Sequence, residues 1–237
     1  MGTAPRLLPS ALILALALVA AALVFGLFFY HARTPERTVQ VVGAATRQFD
    51  TDVARWRVTL SRSVGLDGLS AGYSALHADV RRVSAQLRGL GLPDSALILQ
   101  PASANPRFEE RGRMTGYEVH QTLLAVSRDV DALEGLALDP GRLDTGGAFL
   151  QGSSLEYFFD GLAALKHALL AEATADARRR AEQIAGEGTV GAMTQASAGV
   201  FQITQPYSTD VESYGIHDTS SRKQQITVTV RATFTTD

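Results

Sequence analysis

The chain has 237 residues, of which 46% are hydrophobic, and this is enough for one sizeable core and an accessory segment. The 22 lysine and arginine residues nearly balance the 24 aspartate and glutamate residues, so no strong positive charge favours a nucleic-acid partner. The sequence contains no cysteine, which excludes disulfide bonds, thiolate metal sites and cysteine nucleophiles.

The first predicted element is a stretch without charged side chains at residues 7–30. As a helix with a rise of about 1.5 Å per residue it would be roughly 36 Å long, which is enough to cross a bilayer. A cleavable signal sequence is the alternative, with Arg6 as its charged start and small residues at 20–22 for cleavage. However, the apolar part of a signal peptide usually ends after about 7–15 residues. We therefore predict a tail at 1–6, a transmembrane anchor at 7–30 and a tether at 31–37.

The charges on either side of this stretch do not decide its orientation, because Arg6 precedes it and Arg33 and Arg37 follow it. A short tail followed by a whole folded domain is the usual arrangement of a signal anchor, which keeps the tail in the cytoplasm and exports the domain. The sequence therefore favours export of the domain.

The remaining chain, residues 38–237, shows the patterns of both strands and helices. Apolar and polar residues alternate in residues 53–64, as in a strand with one buried face, and Trp56 falls on the buried side. In residues 69–90 apolar residues recur every three or four positions, as on one face of a helix. Strands are predicted at 38–42, 53–64, 96–100, 117–126, 146–158, within 190–204 and at 225–235, and helices at 69–90, 129–138 and 160–185. This order predicts an α+β fold, with a mostly antiparallel sheet and helices packed on one face, preceded by a single N-terminal transmembrane helix.

The last strand and the longest helix are predicted to supply much of the core. Alternation is clearest in the last strand, whose inward residues are Ile226, Val228, Val230, Ala232 and Phe234. The helix at 160–185 has a predicted inner side of Leu162, Leu165, Leu169, Ala173, Ala177 and Ile184. The apolar face of the strand and the apolar side of the helix fit a sheet with helices packed on one face.

Residues 217–221 give the strongest indication of chemistry, because they contain a histidine, an aspartate and two serines: His217, Asp218, Ser220 and Ser221. The cluster directly precedes the polar start of the last strand, where aspartate and serine commonly bond the local backbone in a turn. A serine hydrolase needs its nucleophile on a sharp strand-to-helix turn with a separate base, and residues adjacent in sequence do not generally reach that geometry. The G-x-S-x-G pattern is absent, so the sequence favours a turn.

Three further patterns have structural explanations. The match of GEGTVG at 186–191 to G-x-G-x-x-G follows a helix and precedes a strand, which is the reverse of a dinucleotide-binding motif. Four histidines lie on different predicted elements without metal-ligand spacing: His77, His120, His167 and His217. The arginines at 178–180 share their helix with three acidic residues: Glu172, Asp176 and Glu182. We therefore predict no catalytic residue, no cofactor, no metal ligand and no small-molecule substrate.

Several segments together resemble one protein family. The segment VVGAATRQFDTDVARWRVTLS resembles the opening hairpin of that family, with Gly43, Asp52 and Trp56 in place. The later segments follow in the same order: GLGLPDSAL, TGYEVHQTLLAV, YFFDGLAALKHALLAEATADARRRAEQIA, GVFQITQP and DTSSRKQQITVTVRATF. Over residues 38–234 the chain resembles the SIMPL-domain family, in its branch of bacterial membrane-anchored or periplasmic proteins.

The resemblance implies an exported α+β domain, here residues 38–237, without established enzymatic activity or catalytic residues. It also implies a loose link to envelope stress and self-assembly among members. We therefore predict a single-pass protein of the bacterial inner membrane with its C-terminal domain in the periplasm. Secretion into the periplasm after signal cleavage is the alternative.

The predicted function is that of a non-catalytic cell-envelope module. Its predicted partners are the membrane, through residues 7–30, and either an envelope protein or further copies of the same chain. The alternative function is a serine-type hydrolase that uses His217, Asp218 and Ser220 together with residues from elsewhere in the fold.

Overall fold

The computed structural model of the chain describes residues 7–32 and 37–237, and its side chains at 12–30 and 37–237. The predicted tail at 1–6 and the centre of the predicted tether, residues 33–36, lie outside the described residues.

The first helix, α1, extends over Leu7–Ala32 and so covers the whole predicted anchor. All of its described side chains, at 12–30, are exposed, and none of them is polar enough to form a hydrophilic face. The segment Leu12–Tyr30 is long and apolar enough to cross a membrane. It fits a single-pass anchor or a signal sequence.

The rest of the described chain forms three helices and ten strands. In chain order they are β1 Thr38–Asp50, β2 Val53–Val64, α2 Leu69–Gly89, β3 Leu97–Leu99, β4 Ser103–Phe108, β5 Met114–Ser127, α3 Val130–Leu138, β6 Phe149–Phe158, α4 Leu162–Ala185, β7 Val190–Ala198, β8 Gln202–Thr204, β9 Ile216–His217 and β10 Lys223–Thr236. All strand pairs are antiparallel except β8 with β9. The predicted α+β class is confirmed.

The strands divide between two five-stranded sheets, where the sequence pattern predicts one. In the first sheet β1 lies beside β10, and β10 pairs on its other side with β7 and β8, followed by β9. In the second sheet the order is β3, β5, β2, β6, and β4 also pairs with β5. We call them the terminal sheet and the central sheet.

The central sheet buries one face against α2 and α3. The inward residues of β2 are those predicted from its alternation and are all fully buried: Ala54, Trp56, Val58 and Leu60. The indole Nε1 of Trp56 donates a hydrogen bond to Ser153 Oγ at 2.8 Å, so the buried ring has a partner for its polar atom. One core therefore joins both helices to the middle of this sheet.

The terminal sheet packs its inner face on α4. All five predicted inward residues of β10 are buried, and α4 meets β1 at Gly43. A Cβ atom on Gly43 would lie 2.2 Å from the carbonyl oxygen of Ala173 and 2.3 Å from the backbone nitrogen of Ala177. The buried stripe of α4 continues to Ala181, whereas the predicted inner residue Ile184 is 66% exposed. Small residues thus let the helix backbone touch the strand.

Two residues, Thr51 and Asp52, connect the two sheets. The predicted opening hairpin is wrong, because β1 pairs with β10 and β2 pairs with β5 and β6. The corner is held by hydrogen bonds from the Thr51 nitrogen to the carbonyl of Arg222 at 3.0 Å and from the Asp52 nitrogen to that of Phe158 at 3.0 Å. The Asp52 carboxylate accepts the backbone N–H of Asp160 at 2.9 Å. These bonds give the polar groups of Thr51 and Asp52 hydrogen-bond partners. The chain therefore passes from the terminal sheet into the central sheet and does not fold back along β1.

Candidate interaction site

The cluster at 217–221 forms a turn. The Asp218 carboxylate accepts the backbone N–H of Ser220 at 2.8 Å. The Ser220 hydroxyl accepts a hydrogen bond from the Gln205 amide at 3.0 Å, and the Ser221 hydroxyl donates to the carbonyl of Lys223 at 2.8 Å. Asp218 and both serines of the cluster are therefore engaged in hydrogen bonds within and beside the turn.

The histidine and the aspartate of this cluster face different depressions. His217 lines a cavity of about 330 Å³ beside Lys166 and Phe201, while Asp218 lines a smaller one of about 170 Å³. Adjacent residues of an extended chain point to opposite sides. The structure thus separates the imidazole from the carboxylate.

The other sequence patterns also have clear places in the fold. The glycines at 186–191 lie between the end of α4 and the start of β7, a helix-to-strand connection. The histidines His77, His120, His167 and His217 lie on α2, β5, α4 and β9, and residues 7–32 and 37–237 contain no group of three potential metal ligands. The arginines at 178–180 are paired on the surface of α4, with Arg180 at 2.7 Å from Asp176 and Arg178 at 3.3 Å from Glu182.

The hydroxyl group of Tyr157 lies where β6, α3 and the start of β10 meet. Burial, followed by the hydrogen bond to Glu134, raises the pKa of the Tyr157 hydroxyl to about 12. The donor and acceptor oxygens are 2.7 Å apart. The same carboxylate also pairs with Arg222, just before β10. The Glu134 carboxylate thus links β6, α3 and the start of β10. The Tyr157 hydroxyl stays protonated at neutral pH, and its role here is to hold the two sheets together.

The most exposed apolar side chains of the folded domain lie together in the segment between β8 and β9, which we call the 205–215 loop. Tyr207 is 86% exposed, Val211 78% and Tyr214 96%. Single exposed apolar residues are common on proteins, but contiguous groups of them mark contact surfaces.

Side-chain hydrogen bonds hold the 205–215 loop in shape. The buried side-chain amide of Gln202 forms two hydrogen bonds with the backbone of Glu212. It donates to the Glu212 carbonyl at 2.7 Å and accepts from the Glu212 N–H at 3.4 Å. Ser208 and Asp210 bond each other twice, at 2.9 and 3.1 Å. Gly215 closes the loop with φ +87°, and a Cβ there would lie 2.7 Å from the Phe201 carbonyl. The loop is thus held in place while Tyr207, Val211 and Tyr214 stay exposed.

The backbone of Tyr207 is strained. Its φ of +67° is the only positive value of a non-glycine residue in the described chain. A left-handed conformation costs about 1–2 kcal/mol for a residue with a Cβ atom. Because the ring of Tyr207 is exposed, packing within the chain does not offset that cost. Strain of this kind is typical of sites that act on other molecules.

Tyr207, Val211 and Tyr214 are not among the functional residues predicted from the sequence. The sequence shows them only as three large apolar residues in an otherwise polar segment, QPYSTDVESYG. That pattern does not reveal whether the side chains turn inward, since burial depends on which elements surround the segment.

Comparison with known proteins gives one result. No curated protein matches the chain. The model of the SIMPL family, described as a protein of unknown function (DUF541), matches residues 39–234, which include Gly43 at the helix contact, Asp52 at the corner and Trp56 in the core. The chain therefore belongs to the SIMPL family.

Proposed function

We propose that the chain is a non-catalytic, membrane-anchored module of the bacterial cell envelope that binds another protein chain through the 205–215 loop. The observation that carries the proposal is the fixed loop that exposes Tyr207, Val211 and Tyr214. A loop without a partner gains nothing from ordered, exposed apolar side chains, since apolar area contributes free energy only when it leaves water.

The composition of the loop supports a protein partner. Tyrosine is enriched at the centres of protein interfaces because it buries a large, rigid surface and keeps one polar atom for hydrogen bonding. Two exposed tyrosines in one loop, with a valine between them in sequence, can supply the few anchor residues that dominate the binding energy of an interface.

The location of the domain is part of this proposal. Helix α1 acts as an uncleaved anchor, since its apolar stretch is longer than the core of a signal peptide. The domain that follows lies in the periplasm, and envelope stress is the condition in which its partner is best sought.

The test compares two triple variants of the full-length protein. The loop variant carries Tyr207→Ser, Val211→Ser and Tyr214→Ser. The control variant, Phe108→Ser, Leu138→Ser and Phe149→Ser, removes side chains that are 61%, 76% and 71% exposed but lie outside the loop. Each tagged protein is captured from solubilised envelopes of cells that also make an untagged copy, with and without envelope stress.

We expect at least one chain, either another protein or the untagged copy, to purify with the wild type and the control variant. Its recovery with the loop variant should fall about tenfold or more, as for loss of interface anchors. Equal recovery with both variants, each folded by circular dichroism, would contradict the proposal.

A further inference from the structure

An apolar groove lies between α4 and β7. Strand β7 pairs with the same edge of β10 as β8, the strand that leads into the 205–215 loop. The groove has a volume of about 500 Å³, and its walls come from α4 residues 170–178 and from Met193. The buried ring of Phe234 forms its floor. This size falls within the range of about 300–1,000 Å³ for sites that hold small ligands or large side chains. We call it the α4–β7 groove.

The polar groups of the groove already have partners. The Thr174 hydroxyl donates to the carbonyl of Leu170 at 2.8 Å. The Arg178 guanidinium donates to the carbonyl of Val190 at 3.1 Å, lies 5.9 Å from the Phe234 ring centroid and pairs with Glu182 at 3.3 Å. An occupant therefore needs an apolar or aromatic body, since no unpaired donor or acceptor in the described lining calls for a polar one.

The 205–215 loop has the complementary properties. It exposes Tyr207 and Tyr214 and carries two carboxylates, Asp210 and Glu212, with no basic residue between Gln205 and Ile216. The one ionic group in the groove lining is a cation, Arg178. Its pair with Glu182 is half exposed on both sides, and such pairs contribute little, so a carboxylate from a partner can share the guanidinium.

We propose that Tyr214 of one copy of the chain inserts into the α4–β7 groove of a second copy. A chain cannot fill its own groove in this way, because Gln202 fixes the loop at Glu212 and Tyr214 is left 96% exposed. The loop adjoins β8, which pairs with β10 at 225–227, whereas the groove adjoins β7, which pairs with β10 at 230–236. Two different surfaces meet, so the contact is head-to-tail and builds a ring or a row of copies. This inference rests on the proposed function.

The absence of cysteine from the sequence allows a direct test with full-length protein in membrane vesicles. One chain carries Ser213→Cys, an exposed position next to Tyr214, which is kept, and the other, with a tag of different size, carries Ala175→Cys on the exposed rim of the groove. Vesicles holding both chains are treated with a short bis-maleimide linker. The control pair replaces Ser213→Cys with Leu138→Cys, which is 76% exposed on α3.

We expect the mixed Ser213→Cys and Ala175→Cys pair to be linked about tenfold more than the control pair and more than either variant with itself. Adding Ala171→Asp to the Ala175→Cys chain should lower the yield about tenfold, because it buries a carboxylate in the groove near Asp210 and Glu212. The matched change Ala171→Ser should leave the yield nearly unchanged.

Linking of Ser213→Cys chiefly to itself would overturn the inference, because it would mean that two loops meet about a twofold axis. A mixed pair linked no better than the control would also overturn it. Neither result touches the proposed function, which depends on the loop triple variant and its control.

Discussion

The carboxylate of Asp176 on α4 accepts the backbone N–H of Ala44 on β1, with 2.9 Å between Oδ2 and the nitrogen. Among the described strands, β1 pairs with β10 alone, so this N–H points to the open edge of the terminal sheet. Arg180 and Arg179 bond the same carboxylate at 2.7 and 3.4 Å. A charged side chain thus covers an edge that could otherwise pair with another strand.

The first prediction concerns acid stability. The hydrogen bond from Ala44, and after it the arginines, lower the pKa of Asp176. A carboxylate with a lowered folded pKa stabilises the fold above its unfolded pKa of about 3.9, and this contribution is lost as pH falls through the lower folded value. The difference in urea midpoint between wild type and Asp176→Asn should be largest near neutral pH and shrink below about pH 4.

The matched control is Asp67→Asn, which removes an exposed carboxylate that bonds nothing in the part of the chain that the structure describes. Its midpoint should follow the wild type across the pH range. A difference for Asp176→Asn that stays constant down to pH 3 would show that its charge does not contribute to the fold.

A second prediction follows from the contact at Gly43. The change Gly43→Ala places a methyl group 2.2 Å from a backbone oxygen of α4, and such overpacking costs about 1–3 kcal/mol or more. In contrast, Gly135→Ala on α3 has open space around its Cβ and should gain about 0.5–1 kcal/mol from helix propensity. Denaturant unfolding followed by circular dichroism measures both, and equal stability of the two variants would be evidence against close helix packing.

A third prediction uses Trp56, the one tryptophan of the sequence. Because the indole is fully buried, its fluorescence should be blue-shifted in the folded protein and move to the red on unfolding. Trp56→Ala should destabilise the fold by about 3–5 kcal/mol. Trp56→Phe keeps an aromatic side chain but is smaller and loses the hydrogen bond to Ser153, so a smaller loss of about 1–3 kcal/mol is expected. An emission maximum like that of free tryptophan would refute the buried position.

A fourth prediction separates turn from core at the end of the chain. Replacing Ser220 and Ser221 by alanine should cost about 0.5–2 kcal/mol in local hydrogen bonds and leave protein capture unchanged. Val228→Asp should unfold the domain, because it puts an unpaired carboxylate at a fully buried position. Stoichiometric labelling of either serine by a fluorophosphonate probe would support the hydrolase alternative instead.

A fifth prediction concerns the membrane. An uncleaved α1 should make the full-length protein resistant to carbonate extraction, and a phosphatase fused after Asp237 should be active if the domain is exported. A mature chain that starts near Leu23 would identify α1 as a cleaved signal, and an inactive fusion would place the domain in the cytoplasm.

Local pattern was sufficient to predict the fold class and several elements. The strand at 53–64 has the predicted ends, and Asp129 caps α3 by accepting the N–H of Ala132 at 3.0 Å, as expected for an aspartate at a helix start. In both cases the interactions that define the element lie within or next to it in sequence.

Pairing between strands that are distant in sequence cannot be predicted from local pattern. Nothing in residues 38–50 specifies that they pair with β10, at the far end of the sequence, so the second sheet was missed. Strand β4 is absent from the predicted strands; it contains Pro106, which cannot donate a hydrogen bond, but within the described chain it pairs with β5 alone, and a proline is tolerated at such an outer position. The exposed tyrosines of the 205–215 loop were missed for the same reason, since their surroundings come from distant segments.

The short connection between α1 and β1 has a consequence for affinity. Residues 33–37 reach at most about 18 Å when fully extended, so domains that keep α1 in the membrane, as we propose, stay in a thin layer at its surface. Confinement to such a layer raises the effective concentration of one domain for another far above its value in solution. A contact as small as one tyrosine in one groove can then be occupied in the membrane, although the same domains released from their helices would dissociate on dilution.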